Sequence, residues 1–568
     1  MLNLARNMGL LSALLFSVRL AHGAEGRVFL DVNGNGVADA AEPGVAGVAV
    51  SDGVQVVDAD AQGRFRLDTA DPDACVWISV PRDHAVSGPF WRRAGSGASL
   101  DFGLAARPQA ETFTFVQLTD THVGRADLVT AFAKQLARLP HAFAFAINTG
   151  DLVGGVDTVP PEKAQAQYDR YLAAAAAFEL PLFHLPGNHE HVAFNTPNPD
   201  TSHPLYGKGL YRRVFGPPYY SWAWAGVHCV ALDGTSLPYQ ERLGTNQLAW
   251  LAADLKRVPA DRPILLFCHQ SLPSLRDAKQ VAALLKDRRV LGAFCGHLHR
   301  TFTTRLDEIP VYHSGAMSGA WWSGPNIDGT PQGFRVVRVK GASLTTAYFS
   351  REGDTPISIM APLATEVQVG EVAFEAVVLD FGREVELNAA FNGQPVALAQ
   401  DGRDELWSRW RGTLDTRVAF DGDRALSFTA RQGEQTASRF EIRYLVENGR
   451  PQAYQAAAPA TLALQVRGVD GASPVLFNGE PCGMIPAGTT NECVLTFPVD
   501  AARLAKLNRV TIRAGKLGRD GDRFSVGPVW LAYAGKKLHD LRYASFERHA
   551  VAGQDPVRAE KVLYFCLP

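Results

Sequence analysis

Pro181-Leu-Phe-His-Leu-Pro-Gly-Asn-His-Glu190 carries an apolar run directly into an amide, an imidazole and a carboxylate, with Pro186 and Gly187 at the junction. A short apolar run closed by Pro and Gly reads as a buried strand ending in a tight turn. The construction recurs along the chain. TFTFVQLTD ends at Asp120 with His122 just beyond, HAFAFAINTGD ends at Asp151, PILLFCHQ reaches His269, and VLGAFCGHLH reaches His297 and His299. Between these runs the apolar residues take a helical period, as at Leu128, Phe132, Leu136 and Leu139, and again near 162–178, 245–256 and 278–287. Strand and helix in alternation predict an α/β domain over 108–350, with β-sheets flanked by helices. Ligands of such sheets sit beyond the carboxyl ends of the strands, so the polar clusters are predicted to meet in one place.

The flanks follow a shorter period. Residues 24–107 read as brief strands between turns (GRVFLD, GVAVSD, VQVVDAD, GRFRLD, CVWISV), an N-terminal β-sandwich. After 351 the helical patterns give way to strands, and the Pro- and Ala-rich GRPQAYQAAAPA separates a β-domain over 351–447 from a second over 448–568. In the second, VLFNGEPCGMIP and LNRVTIRAG resemble stretches of jelly-roll modules. A chain of 568 residues, 46% hydrophobic and 20% charged, holds several cores. Its formal net charge of −2, near −4 without Arg6 and Arg19, leaves no footprint for nucleic acid. In residues 1–23, Arg6 precedes the apolar Gly9–Val18, and small residues follow at Ala21, Gly23 and Ala24; this is a secretory signal peptide. No other segment reaches the ~18 apolar residues of a membrane-spanning helix, so the mature chain is expected in the periplasm or outside the cell without a span. Seven cysteines exclude a disulfide-built scaffold, although Cys482 and Cys493 flank a turn and could pair in an oxidising compartment.

Imidazole and carboxylate together suit zinc, iron or manganese, and no thiolate joins the clusters, which argues against a structural zinc site. Asp120, His122, Asp151, Asn188, His269, His297 and His299 are too many donors for one ion. They suit two divalent transition-metal ions sharing a carboxylate, ~3.5–4 Å apart, a pair that clamps the attacking and leaving oxygens of an in-line displacement. In this order, Asp-x-His, Gly-Asp, Gly-Asn-His-Glu, His and Gly-His-x-His over about 115–320 resemble the calcineurin-like metallophosphoesterase superfamily. The resemblance implies that Asp120, His122, Asp151 and His299 hold one ion, and that Asp151, Asn188, His269 and His297 hold the other, with Asp151 bridging. It implies that His189 is a proton donor or phosphate contact, oriented by Glu190. It also implies hydrolysis of a phosphate mono- or diester, in a phosphorylated small molecule or glycan, by a hydroxide bridging the ions. The domain layout, with the loop GAMSGAWWSGP over 315–325, resembles an exported bacterial subgroup with an N-terminal β module and C-terminal β-domains; Trp321 and Trp322 then either wall the cleft or pack between domains. Purple acid phosphatases place an iron-binding tyrosine after the Gly-Asp block, where this chain has Gly154.

Arg125 and Arg300 follow ligand clusters and are candidate phosphate contacts, while His141, His184, His191, His203 and His228 are read as structural. A second signal lies in the N-terminal module. Asp31, Asn33, Asn35, Val37, Asp39 and Glu42 take positions 1, 3, 5, 7, 9 and 12 of a calcium loop, with Gly36 at position 6, and imply a structural calcium ion against the alternative of a plain Asn/Gly turn. The rival to the enzyme is a non-catalytic glycan- or surface-binding protein on the same scaffold, which the intact ligand set disfavours.

Overall fold

The computed structural model describes residues 22–568 apart from 70, 97, 124–125, 238, 435–436 and 543–548. The predicted leader, up to residue 21, and Arg125 lie outside the described residues; His22 and Gly23 already belong to the first strand, His22–Leu30. The chain divides into two compact units: residues up to Gln109 with Phe215–Val230 and Gly244–Arg262, and Ala110–Val214 with Ala231–Leu243 and Pro263–Pro568.

The first unit contains two four-stranded sheets. Its opening strand pairs antiparallel with Arg64–Thr69 and parallel with Phe102–Ala106. Val28, Val50, Leu67, Val76 and Phe102 fill the space between the sheets. Aromatic packing recruits the distant segments. Trp77 meets Tyr219 at 5.9 Å and Trp250 at 6.2 Å, Val80 bridges to Trp222, and Arg257 pairs with Asp58 at 2.8 Å. Large rings bury enough area to hold segments far apart in sequence, which explains why the unit extends beyond the stretch read as a β-sandwich.

The second unit opens with the α/β domain. One sheet runs Leu182–His184, Ala146–Asn148, Thr112–Leu118, Gly333–Lys340, Ser343–Ser350; its first three strands are parallel and the last two antiparallel. In the other, Ile264–Cys268, Val290–Cys295 and Ile309–His313 are parallel, with Phe302–Leu306 antiparallel beside the last. Phe115 and Phe145 from one side meet Phe267 and Phe294 from the other, with Phe115 edge-on to Phe267 at 5.7 Å and to Phe294 at 5.6 Å. All four rings are fully buried, each contributing about 1.5–3 kcal/mol. This seam ties the sheets together beneath the strand ends.

Helix Ala126–Arg138 begins with Asp127 and ends on Arg138, each complementing the helix dipole, and Pro161 starts Pro161–Ala175 with a preset φ. A six-residue helix, Gly209–Val214, stands inside the stretch 191–220 that reads as a loop; it is too short to carry a periodic signal. Beyond Ser350, residues 357–446 and 460–567 each surround a separate β core. Cys482 and Cys493 are both free thiols, packed at the edge of the second of these cores.

Candidate metal centre

Five parallel strands, Thr112–Leu118, Ala146–Asn148, Leu182–His184, Ile264–Cys268 and Val290–Cys295, deliver their following residues to one point, and tight backbone turns make this possible. Asp120, His122, Asp151, His297 and His299 all have left-handed φ, between 39° and 70°. This conformation costs a non-glycine residue roughly 1–3 kcal/mol and persists only where surrounding structure enforces it. Glycines supply the close approach. A Cβ on Gly187 would stand 2.1 Å from Asp151 Oδ1, and one on Gly296 would stand 1.9 Å from Thr119 Oγ1. The Gly-Asn-His-Glu turn therefore packs directly on the Gly-Asp turn, and Gly-His-x-His on the Asp-x-His turn.

Three groups bring ligand atoms within 4.8 Å of one another: Asp120, His122 and His299; His122, Asp151 and His189; Asp151, His269 and His297. Asp120 Oδ1 lies 3.2 Å from His299 Nε2 and 3.8 Å from His122 Nε2. Asp151 Oδ2 lies 3.1 Å from His269 Nε2 and 3.7 Å from His122 Nε2, so one carboxylate faces both halves of the cluster. The far sides of these groups are held. His269 Nδ1–H donates to the Thr149 carbonyl at 2.9 Å and His299 Nδ1–H to the Ala320 carbonyl at 2.7 Å, which turns each Nε2 to the centre. Asp120 Oδ2 accepts from Thr119 Oγ1 and from the His297 N–H, and Asp151 Oδ1 accepts from the His189 N–H. Asn188 Oδ1 is buried without a hydrogen-bond partner. Buried acceptors left this way are costly unless something else binds them, and an amide oxygen with imidazole and carboxylate donors fits a divalent transition ion.

The electrostatics agree. Burial alone would raise Asp120 and Asp151, yet the imidazoles around them, His299 and His269 for the first and His269 and His189 for the second, hold both carboxyls well below the usual range. Burial lowers His122 to about 3, so its imidazole is neutral with a free lone pair.

His189 stands 5.1 Å from the His122 ring, and the residue that orients it is Asp157: Oδ1 accepts from His189 Nδ1 at 2.8 Å, while Oδ2 accepts from Asn195 Nδ2 at 2.8 Å. This corrects the expectation for Glu190. The fully buried Glu190 carboxylate accepts from the N–H groups of Gly187, Asp151, Leu152 and Val153 at 2.6–3.1 Å, which clamps two ligand-bearing turns together and does not touch the His189 ring. Neighbours in a tight turn point apart, so adjacency to His189 misled. Asp157 was missed because one aspartate after Leu152-Val-Gly-Gly-Val matches no motif; its one signal is a carboxylate alone among apolar residues.

His191, read as structural, is buried and donates from Nδ1 to the Asn188 carbonyl at 3.1 Å, bracing the same turn. His313 contacts Ser271 and Thr304 hydroxyls and stacks on Phe302 at 4.1 Å, a packed position behind the cluster. Trp322, about half exposed, stands edge-on to His122 at 5.5 Å, with Trp321 at 6.4 Å from it, and also lines a cavity shared with Phe428 and Phe440 of the following β-domain.

Residues 113–301 match the sequence model of the family described as calcineurin-like phosphoesterase, and residues 31–99 match the one described as the N terminal of calcineurin-like phosphoesterase. This is a calcineurin-like phosphoesterase domain. Its chemistry is that of a metal-dependent phosphoester hydrolase. Among similar proteins, the "3',5'-cyclic adenosine monophosphate phosphodiesterase CpdA" of Escherichia coli (strain K12) is 27% identical over 210 residues, 33% of this chain and 69% of that protein. The "Probable cyclic nucleotide phosphodiesterase" of Rhodococcus erythropolis is 29% identical over 157 residues, 26% of this chain and 50% of the relative.

The calcium-loop residues belong to the first unit. Asp31 accepts from the N–H groups of Gly34, Asn35 and Gly36, Glu42 from those of Val32 and Asp39, and Asp39 from the Asn33 and Asn35 amides. The Asn33 and Asn35 carbonyl oxygens accept from the Asn35 and Val37 N–H groups. These bonds are those of a self-closed Asn/Gly turn.

Proposed function

We propose that this chain is a phosphodiesterase of the cell exterior or periplasm, cleaving a small phosphorylated molecule with two divalent transition ions held by Asp120, His122, Asp151 and His299 and by Asp151, Asn188, His269 and His297. The observation that carries this reading is the shared Asp151 Oδ2, which faces imidazoles of both groups. The names of the two relatives favour a diester over a monoester. Bound there, the ions would neutralise phosphoryl oxygens and make hydroxide available at neutral pH.

The chain's own residues supply the rest. His189 is the general acid for the departing alkoxide. Burial alone would lower its pKa, but Asp151 and Asp157 outweigh this and raise it to about 9, so the ring carries its proton at neutral pH. Asp157 fixes Nδ1 and leaves Nε2 to donate. Trp322, edge-on to His122, would wall that side of the cleft.

The test is metal analysis beside turnover of paired chromogenic mono- and diesters: two ions per chain with faster diester cleavage is expected, and bound metal without turnover of either ester overturns the reading. Export rests on the Arg6-to-Ala24 pattern and is tested by fractionating cells that make the full chain. A structural calcium ion at Asp31–Glu42 is a separate proposal resting on the loop spacing. It would bind weakly, in the ~10⁻⁴–10⁻³ M range of extracellular modules, because it must displace the loop's own hydrogen bonds.

A further inference from the structure

The His297 side of the cluster carries a carboxylate that the ligand set does not use. Glu241, on the hairpin Thr235–Ser236/Gln240–Glu241, places Oε1 3.4 Å from His297 Nε2. His297 groups with Asp151 and His269 within 4.8 Å, whereas Glu241 joins no such group among the described residues, so it stands at the rim of the centre. Its position is fixed. The Tyr239 hydroxyl donates to Glu241 Oε1 at 3.3 Å, the Glu241 carbonyl accepts from the Arg276 N–H at 2.9 Å, and Tyr239 stacks on Phe194 at 5.4 Å. The Glu241 side chain is 30% exposed and Tyr239 is 41% exposed, so both are open to an incoming molecule.

We propose that Glu241 is a specificity residue of the phosphoesterase centre, disfavouring phosphate groups with two negative charges and so selecting diesters, with the Phe194–Tyr239 stack as the wall for the ester group that the product retains. The proposal rests on the hydrolase reading above. A monoester or free phosphate carries one more negative charge than a diester. Held several ångströms from a partly solvated carboxylate, that extra charge weakens binding by about tenfold. Such a like-charge element weakens both ligands, and the more highly charged one more. It serves turnover as well, since cleavage of a diester leaves a dianionic monoester that the same carboxylate expels.

The test uses the full chain, wild type and E241Q, loaded with manganese to equal content and titrated calorimetrically at about pH 8 with inorganic phosphate and with dimethyl phosphate. The expected result in E241Q is a dimethyl phosphate affinity about tenfold higher and a phosphate affinity about a hundredfold higher, so that about tenfold of discrimination between the two is lost. No change in either, or an equal change in both, overturns the proposal. Failure of the hydrolase reading is a different result, absence of bis(4-nitrophenyl) phosphate turnover by the loaded wild type, and it leaves the anion titration readable.

Discussion

Two regions of this protein carry acidic and amide side chains at ion-binding spacing, and they end in opposite chemical states. In the Asp31–Glu42 loop the backbone N–H groups turn inward and the carboxylates and amide carbonyls already have partners. At the strand ends of the phosphoesterase domain the left-handed turns at Asp120, His122, Asp151, His297 and His299 aim side chains at one another, while backbone carbonyls behind His269 and His299 fix which nitrogen faces in. Asn188 Oδ1 is left without a hydrogen-bond partner. A spacing motif locates oxygens. Whether those oxygens await an ion depends on where the local N–H groups point.

The comparison breaks most severely at the shared carboxylate. Asp151→Asn is expected to retain less than one ion per chain by elemental analysis and to lose more than about 10³-fold in diester kcat, since each ion supplies several kcal/mol of charge stabilisation. Two retained ions would remove Asp151 from its bridging place. His189→Ala should lower kcat by about 10²–10⁴-fold with both ions kept, and Asp157→Asn by about 10–100-fold with unchanged metal content; metal loss in either variant would make them ligands instead. Glu190→Gln turns one of the two oxygens that accept from four N–H groups into an NH2 donor, so denaturant titration should show about 1–3 kcal/mol lower stability. Unchanged stability would deny the clamp.

Ion uptake sharpens the contrast further. Burial alone would lower His269, but Asp151 and Asp120 raise it to about 10, so it is protonated at neutral pH and an ion must displace that proton. Affinity of the chelator-stripped protein for manganese should therefore rise from about pH 6 to about pH 8, by about tenfold per unit for each proton displaced. A flat profile contradicts this. The smallest effect belongs to the N-terminal loop, where millimolar calcium should stabilise the protein by only about 1 kcal/mol in thermal melts, an effect that Asp31→Asn removes.

The ligands were legible because their chemistry is local: each follows a buried apolar strand, and parallel strands bring their ends together whatever the loops do. Partners that act across the fold were not legible. Asp157 reaches His189 and Glu241 reaches His297 through turns whose directions depend on packing, and neither has a motif. Glu190 shows the converse, a motif residue whose neighbour in sequence is not its partner in space. The extent of the first unit was hidden for the same reason, since Trp77, Tyr219 and Trp250 meet only after folding.

The account depends most on two ions acting through one carboxylate. Manganese titrated into the chelator-stripped wild type, with bis(4-nitrophenyl) phosphate turnover followed at each addition, tests it directly. Turnover should climb to a plateau at two ions per chain; a plateau at one ion per chain would contradict the shared-Asp151 centre.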